Sequence, residues 1–280
     1  MFYNFNGDFV DGSRIELNVH NRALNYGDGV FESMRFSHGK IHFWEDHYFR
    51  LMAAMRIVRM QIPLWFTPEY ISDLVNQLTS RNNLSNARVK LLVFRKEGGK
   101  YAPISNEVDF LLTVAALPSA AYHLNEQGLQ IDLFTDFYKS TGLLSNLKSS
   151  SAQFFTVAAV FKQENDLDEC LVLNHNKYVV EAISSNVFLL QQGKLVTPPI
   201  SDGCLKGIIR KKIIELAPKQ GIEVIEKSFS PFELQRSEAV FLTNSSAGVQ
   251  WVSSFRKKTF VNDKAEVLIA ALNRAAILGF

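Results

Sequence analysis

Several residues in this sequence are of types that could serve acid–base or anion-binding chemistry. Lys148 stands in Ser145-Asn146-Leu147-Lys148-Ser149-Ser150-Ser151, just ahead of an apolar helix pattern. A lysine amine partly desolvated beside polar groups can lose its proton near neutral pH, form a Schiff base with an aldehyde and then shuttle protons. An arbitrary lysine is far more often a solvated surface residue. Glu181 lies in Tyr178-Val179-Val180-Glu181-Ala182-Ile183-Ser184-Ser185-Asn186-Val187-Phe188, between an apolar run and a small polar turn. A carboxylate held there could pair with a protonated ring nitrogen and sustain an electron sink; a plain turn glutamate is the competing interpretation.

Two backbone features suit a phosphate. In Leu205-Lys206-Gly207-Ile208-Ile209-Arg210 a glycine opens a helix, so unpaired N–H groups and the positive end of the helix dipole could face an anion. Thr243-Asn244-Ser245-Ser246-Ala247-Gly248 ends a buried-looking strand with small hydroxyl residues. Arg50, in His47-Tyr48-Phe49-Arg50-Leu51, offers a planar fork for phosphate oxygens, although helical arginines mostly snorkel at the surface.

The elements that must position these residues follow from periodicity. Met1 to Val10 reads as a strand pair turning at Asn6-Gly7-Asp8. Trp44 to Met60 reads as an amphipathic helix with Phe49, Met52, Ala53, Met55 and Ile57 on its apolar face. Thr67 caps and Pro68 opens a second helix toward Arg81. Val89 to Phe94 and Val108 to Val114 are β-rich runs expected to pair, joined by a loop from Lys96 to Asn106. Small, turn-prone residues at Leu117-Pro118-Ser119 suggest a linker at 118–122 between an N-terminal α/β domain, 1–117, and a C-terminal cofactor-binding domain, 123–280. Beyond it come a strand from Leu129 to Phe134, a helix near Ala152 to Gln163, and strands at Cys170 to Leu173 and Val187 to Leu190. A turn with Gly193 at its tip, a helix from Gly207 to Ala217, a strand from Ala239 to Thr243 and a helix from Lys264 to Leu278 complete the pattern.

Composition narrows the function classes. At 280 residues, two packed lobes are expected rather than one core, and 22 Phe supply the apolar bulk for them. Thirty basic residues against 28 acidic ones leave a net charge of +2 with only short basic runs, so nothing requires nucleic acid. Cys170 and Cys204 fit neither a disulfide framework nor a zinc spacing, and no metal is expected. With no leader-like start and no long apolar run, a soluble, cytoplasmic protein without membrane attachment is expected.

Order and spacing sharpen this picture. Arg22-Ala23-Leu24-Asn25-Tyr26-Gly27-Asp28-Gly29-Val30-Phe31-Glu32, the His47 to Leu51 segment, Glu181 through Asn186 to Phe188, and Gly207-Ile208-Ile209-Arg210 resemble the fold-type IV pyridoxal-phosphate enzymes over nearly the whole length. That group includes branched-chain and D-amino-acid aminotransferases and aminodeoxychorismate lyases. The resemblance implies an α/β (α+β) fold of two lobes with pyridoxal 5'-phosphate in the crevice, gripped mostly by the second lobe, and a homodimer. It implies that Lys148 forms the internal aldimine and that Glu181 pairs with the pyridine nitrogen. Arg50, the Gly207-Ile208-Ile209 backbone and Ser245 would hold the phosphate. Two positions depart from the family: Ile209 replaces a frequent threonine, and Gln153 and Phe154 stand where many members have a tyrosine.

For the substrate, the resemblance nominates Arg95 to grip a carboxylate, with Phe31, Tyr26 and Tyr101 beside it. Phe31-Glu32 is similar to the aminotransferases, whereas Arg95-Lys96-Glu97-Gly98-Gly99-Lys100-Tyr101 is similar to the lyase loop. The expected activity is transfer of an amino group between an amino acid, branched-chain ones included, and a 2-oxo acid. The alternatives are 4-amino-4-deoxychorismate lyase, releasing pyruvate and 4-aminobenzoate, and a pyridoxal-phosphate-binding protein without turnover.

Overall fold

The computed structural model describes residues 1–12, 15–262 and 264–279. The chain forms two compact units, Met1–Ala121 with Lys148–Ala152, and Tyr122–Leu147 with Gln153–Leu278. Lys148–Ala152 therefore belongs with the first unit rather than with the residues from 123 onward that surround it in sequence. Its backbone explains why: the Phe31 N–H donates to the Lys148 carbonyl (2.8 Å) and the Ser150 N–H to the Gly29 carbonyl (2.9 Å).

The first unit runs β1 (Phe2–Phe5), β2 (Asp8–Asp11), α1 (Arg22–Tyr26), β3 (Gly29–Ser37), β4 (Lys40–Ile41), α2 (Trp44–Ile57), α3 (Pro68–Arg81), β5 (Ala87–Arg95) and β6 (Val108–Ala116). Its strands form one antiparallel sheet in the order β2-β1-β6-β5-β3-β4. The β1–β2 turn has Asn6 and Gly7 both at positive φ (53° and 99°), the backbone that a two-residue hairpin requires. In β5, Ala87, Val89, Leu91 and Val93 are buried in strict alternation, which sends Arg88 and Lys90 to the other face. Thr67 caps α3 as expected, accepting from the Tyr70 N–H at 3.2 Å, with Pro68 in the first turn.

Helix α2 departs from its expected face. It buries His47, Leu51, Met52, Ala54 and Met55, whereas Phe49, Ala53 and Ile57 are exposed. It also stops at Ile57 rather than near Met60, because Arg59 takes a left-handed φ of 59°. The buried stripe thus includes a histidine, which apolar periodicity alone does not reveal.

The second unit runs β7 (Leu129–Lys139), α4 (Gln153–Glu164), β8 (Glu169–Asn174), β9 (Val179–Ala182), β10 (Asn186–Gln191), β11 (Lys194–Thr197), α5 (Ile208–Leu216), β12 (Val224–Glu226), α6 (Pro231–Arg236), β13 (Ala239–Asn244), β14 (Gly248–Phe255), β15 (Lys258–Thr259) and α7 (Ala265–Leu278). Its nine-stranded sheet has the order β12-β11-β10-β13-β14-β7-β8-β9, with β15 on β14. The pairs β11–β12, β14–β7 and β7–β8 are parallel. One core joins Leu171, Val187, Leu189, Val240 and Leu242 with Phe229 and Phe255; another joins Phe134, Ala158, Cys170, Val172 and Cys204. Strand β7 continues past Phe134 to Lys139, through exposed Thr135, Asp136 and Phe137 and a register shift against β8. Among the described residues no helix is long and apolar enough to cross a membrane.

Candidate active site

In the first unit the chemistry centres on β3 and α2. Glu32 projects inward from β3, while His47 and Arg50, three residues apart on α2, share the face that meets it. His47 Nδ1 lies 2.6 Å from Glu32 Oε2, and Arg50 donates from Nε to Oε1 (2.8 Å) and from an Nη to Oε2 (2.5 Å). Burial alone would raise the Glu32 carboxyl, but the Arg50 and His47 charges and hydrogen bonds outweigh it and hold the pKa down to about 2. Burial lowers the pKa of His47, with Glu32 opposing, so near pH 7 a neutral imidazole donates from Nδ1 to an ionised carboxylate. Arg50 is thereby fixed in plane by Glu32.

Lys148 lies beside the same strand. Its Nζ is 4.6 Å from the centroid of the Phe31 ring, and Lys90 Nζ is 5.0 Å from that centroid. Gly27, at φ 62°, lets the Lys148–Ala152 segment approach: a Cβ there would come 3.0 Å from Ser151 Cα. The Ser150 hydroxyl donates to the Gly27 carbonyl at 2.9 Å.

Tyr26 and Tyr101 come together, their ring centroids 5.8 Å apart, with the Arg22 guanidinium 4.9 Å from the Tyr26 ring. Arg95, expected to grip a substrate carboxylate, is fully engaged within the first unit. Its Nε donates to Asp28 Oδ2 at 2.9 Å, an Nη to the Val58 carbonyl at 2.7 Å, and the other Nη to the Arg59 carbonyl and Asn106. A buried fork so engaged anchors the strand end. Arg22 shares Asp28 Oδ2 with it (2.8 Å) and donates to the Gly98 and Lys100 carbonyls. These buried arginines define the loop carrying Tyr101.

In the second unit Glu181 sits on β9, buried, with a side-chain carboxylate that accepts from Lys139 Nζ at Oε1 and from the Leu205 N–H at Oε2 (2.8 Å). The segment after Leu205 enters α5, whose first turn has no side-chain cap at Gly207. Gly207 lies tight against β10, where an added Cβ would stand 1.9 Å from Asn186 Oδ1. Asn186 is the register partner of Thr243 on β13. The Thr243 hydroxyl is buried with no hydrogen-bond partner among the described residues. Ser245 follows in a turn closed by Asn244, whose Oδ1 accepts from the Ser246 and Ala247 N–H groups (3.0 and 2.9 Å). The α5 N terminus, Asn186 and the end of β13 thus converge within one unit. Phe154, at a position of departure from the family, packs edge-on to Phe134 in the core (5.9 Å).

Glu32, Asp28 and Lys139 are polar residues that sequence reasoning leaves without roles. Glu32 carries one signal, a charge within an apolar run, and a buried charge requires a partner. Among the described residues no cluster of potential ligands for a metal ion occurs.

The mixed α/β fold of this chain is shared with solved aminotransferases. A branched-chain aminotransferase from the thermophilic archaeon Thermoproteus uzoniensis, solved with norvaline, superposes with a TM-score of 0.89 at 24% identity, covering 100% of this chain and 95% of that one. A Legionella pneumophila chain described as a candidate 4-amino-4-deoxychorismate lyase superposes with a TM-score of 0.85 at 23% identity, covering 94% and 97%. In sequence, the branched-chain-amino-acid aminotransferase of Escherichia coli K12 is 28% identical over 261 residues, 89% of this chain and 83% of that protein. The D-alanine aminotransferase of Listeria monocytogenes 10403S is 28% identical over 251 residues, 86% and 82%. Residues 29–255 match the family model for amino-transferase class IV. The chain belongs to the class IV aminotransferases, and it is an enzyme of that family.

Proposed function

We propose that this enzyme uses pyridoxal 5'-phosphate to move an amino group between a branched-chain amino acid and a 2-oxo acid. The fit of the cofactor is supported by the cradle around Gly207, where a side chain would collide with Asn186, and by the orphaned Thr243 hydroxyl beside it. The Ile208 and Ile209 N–H groups, Ser245 and Arg50 would hold the phosphate, and Glu181 the ring nitrogen. When bound, the cofactor supplies an aldehyde and a ring that withdraws electrons from the substrate Cα.

The protein's own residues supply the rest. Lys148 Nζ would be the amine that holds the cofactor's aldehyde carbon and, when free, the base beside the substrate Cα that takes up its proton and returns it. Phe31 gives that amine an aromatic wall. Glu32 holds the Arg50 guanidinium in one orientation, so phosphate binding requires no reorganisation of that side chain. The branched-chain preference is supported by the likeness to the Escherichia coli enzyme, and D-alanine is the runner-up from the Listeria relative. A homodimer is supported by the family resemblance, and a cytoplasmic location by two buried cysteines that remain free thiols.

The observation that carries this proposal is the family match spanning both Lys148 and Glu181. Purified protein is expected to absorb in the visible, to lose that band with borohydride, and to change spectrum with L-leucine, L-isoleucine or L-valine. Lys148→Ala should abolish turnover with 2-oxoglutarate while leaving circular dichroism unchanged. Turnover at the wild-type rate in that variant would end the proposal. Pyruvate release from aminodeoxychorismate without transamination would favour the lyase, and a visible band that no substrate alters would favour a silent binder.

A further inference from the structure

Lys139 makes a contact that the family reading does not use. It ends β7 after the register shift, with its side chain nearly buried (9% exposed), and its Nζ meets Glu181 Oε1. The same ammonium donates to the Ser145 carbonyl at 3.0 Å and lies 5.3 Å from the Phe155 ring. Ser145 belongs to the short 3-10 turn Leu143–Asn146, which leads along the chain into Lys148. That turn is pinned again by Asn146, whose amide donates to the Ile200 and Cys204 carbonyls (3.1 and 2.7 Å).

A carboxylate 5% exposed needs a counter-charge and full hydrogen bonding, since an unpaired buried charge is strongly destabilising. Here one oxygen has the ammonium and the other the Leu205 N–H. A bound ring nitrogen would therefore meet a carboxylate whose rotation is already restricted. The ammonium also crosslinks that carboxylate to the turn ahead of Lys148.

We propose that Lys139 is a positioning residue for the transamination chemistry: it orients and charge-balances Glu181 and ties it to the turn Leu143–Asn146. This inference rests on the proposed cofactor role of Glu181. It predicts that neutralising Lys139 impairs the proton-transfer steps more than cofactor retention, because the phosphate contacts lie elsewhere.

The test combines two readouts. In the holoenzyme, Lys139→Met should lower kcat by about 100-fold with a much smaller change in KM, and should shift the visible band of the bound cofactor. Lys139→Arg should restore most of kcat and the wild-type band. The loss should be strongly non-additive with Glu181→Gln, so that the double variant is no slower than Glu181→Gln alone. In the cofactor-free protein, Lys139→Met should lower the urea midpoint, and adding Glu181→Gln should recover most of that loss. A wild-type kcat and band in Lys139→Met, or an equal fold loss in the Glu181→Gln background, would overturn the proposal. If wild-type protein binds no pyridoxal phosphate, the cofactor role of Glu181 fails; the urea cycle then reports separately on the ion pair.

Discussion

Glu32 is the residue on which the first unit's site depends, because a guanidinium and a neutral imidazole converge on a carboxylate that is 1% exposed. Its pKa is depressed from 4.5 to about 2, so its stabilising contribution is fully present above pH 4.5 and is lost as pH falls from there through about 2. That contribution is on the order of 3 kcal/mol. His42, depressed to about 4 chiefly by burial, adds a loss that begins higher, as pH falls below 6.5. Urea unfolding of the cofactor-free protein at a series of pH values should therefore show stability falling in acid over both windows. Glu32→Gln should remove about 3–5 kcal/mol at pH 7, since Arg50 loses its counter-charge and one acceptor oxygen is replaced by an NH2 donor, and should flatten the slope below pH 4.5. A slope unchanged by the substitution would show that Glu32 is not the group responsible. Arg50 and Glu181 draw attention in the sequence because each lies in a patterned segment. Lys139 does not, because Thr135, Asp136 and Phe137 read as a strand end, and only the observed continuation of β7 carries it inward. Arg95 is legible as a special arginine, but its buried partners are not. Its partners, Asp28, Asn106 and the Val58 and Arg59 carbonyls, come from distant parts of the chain that no local spacing brings together.

Among the elements, α5 has the closest tolerance. Its N-terminal glycine is at φ −66°, a conformation open to any residue, so glycine is required there by proximity to Asn186 rather than by backbone freedom. Gly207→Ala should push Asn186 away and disturb its 2.9 Å bond to the Leu205 carbonyl. The expected outcome is a Kd for pyridoxal 5'-phosphate at least about tenfold weaker, measured by fluorescence titration, with the fold retained by circular dichroism. An unchanged Kd would remove this helix end from the phosphate site. Helices α3 and α5 are readable from Thr67, Pro68 and Gly207 because capping and glycine signals are local. Strand β3 is not: Gly29–Ser37 buries Glu32 with Val30, Met34 and Phe36 on one face and Arg35 on the other, and apolar alternation fails where buried positions are polar. The face of α2 is obscured for the same reason, since His47 displaces Phe49 from the core.

At the scale of the whole molecule, the chain is not two beads in sequence. After entering the second unit at Tyr122 it contributes Lys148–Ala152 to the first, then resumes the second at Gln153. The first unit's sheet therefore depends on a segment from beyond its apparent end. In β3, the Phe31 N–H is satisfied by the Lys148 carbonyl, and Val30 forms an isolated bridge with Ser149. On the opposite edge β3 pairs with β5 from Gly29↔Phe94 through Phe36↔Ala87. A fragment ending at Ala121 should therefore keep the β3–β5 ladder but leave the Phe31 N–H without its acceptor. Hydrogen exchange measured by NMR should show the Phe31 amide protected in the full chain and exchanging with little protection in the fragment. The buried amides of β5, at Leu91 and Val93, serve as the internal reference. Adding a peptide spanning 143–156 should restore protection at Phe31 selectively. Equal protection of Phe31 in both forms would mean that the Lys148 segment is not what completes this edge, and the anchoring of Lys148 by its own backbone would have to be abandoned.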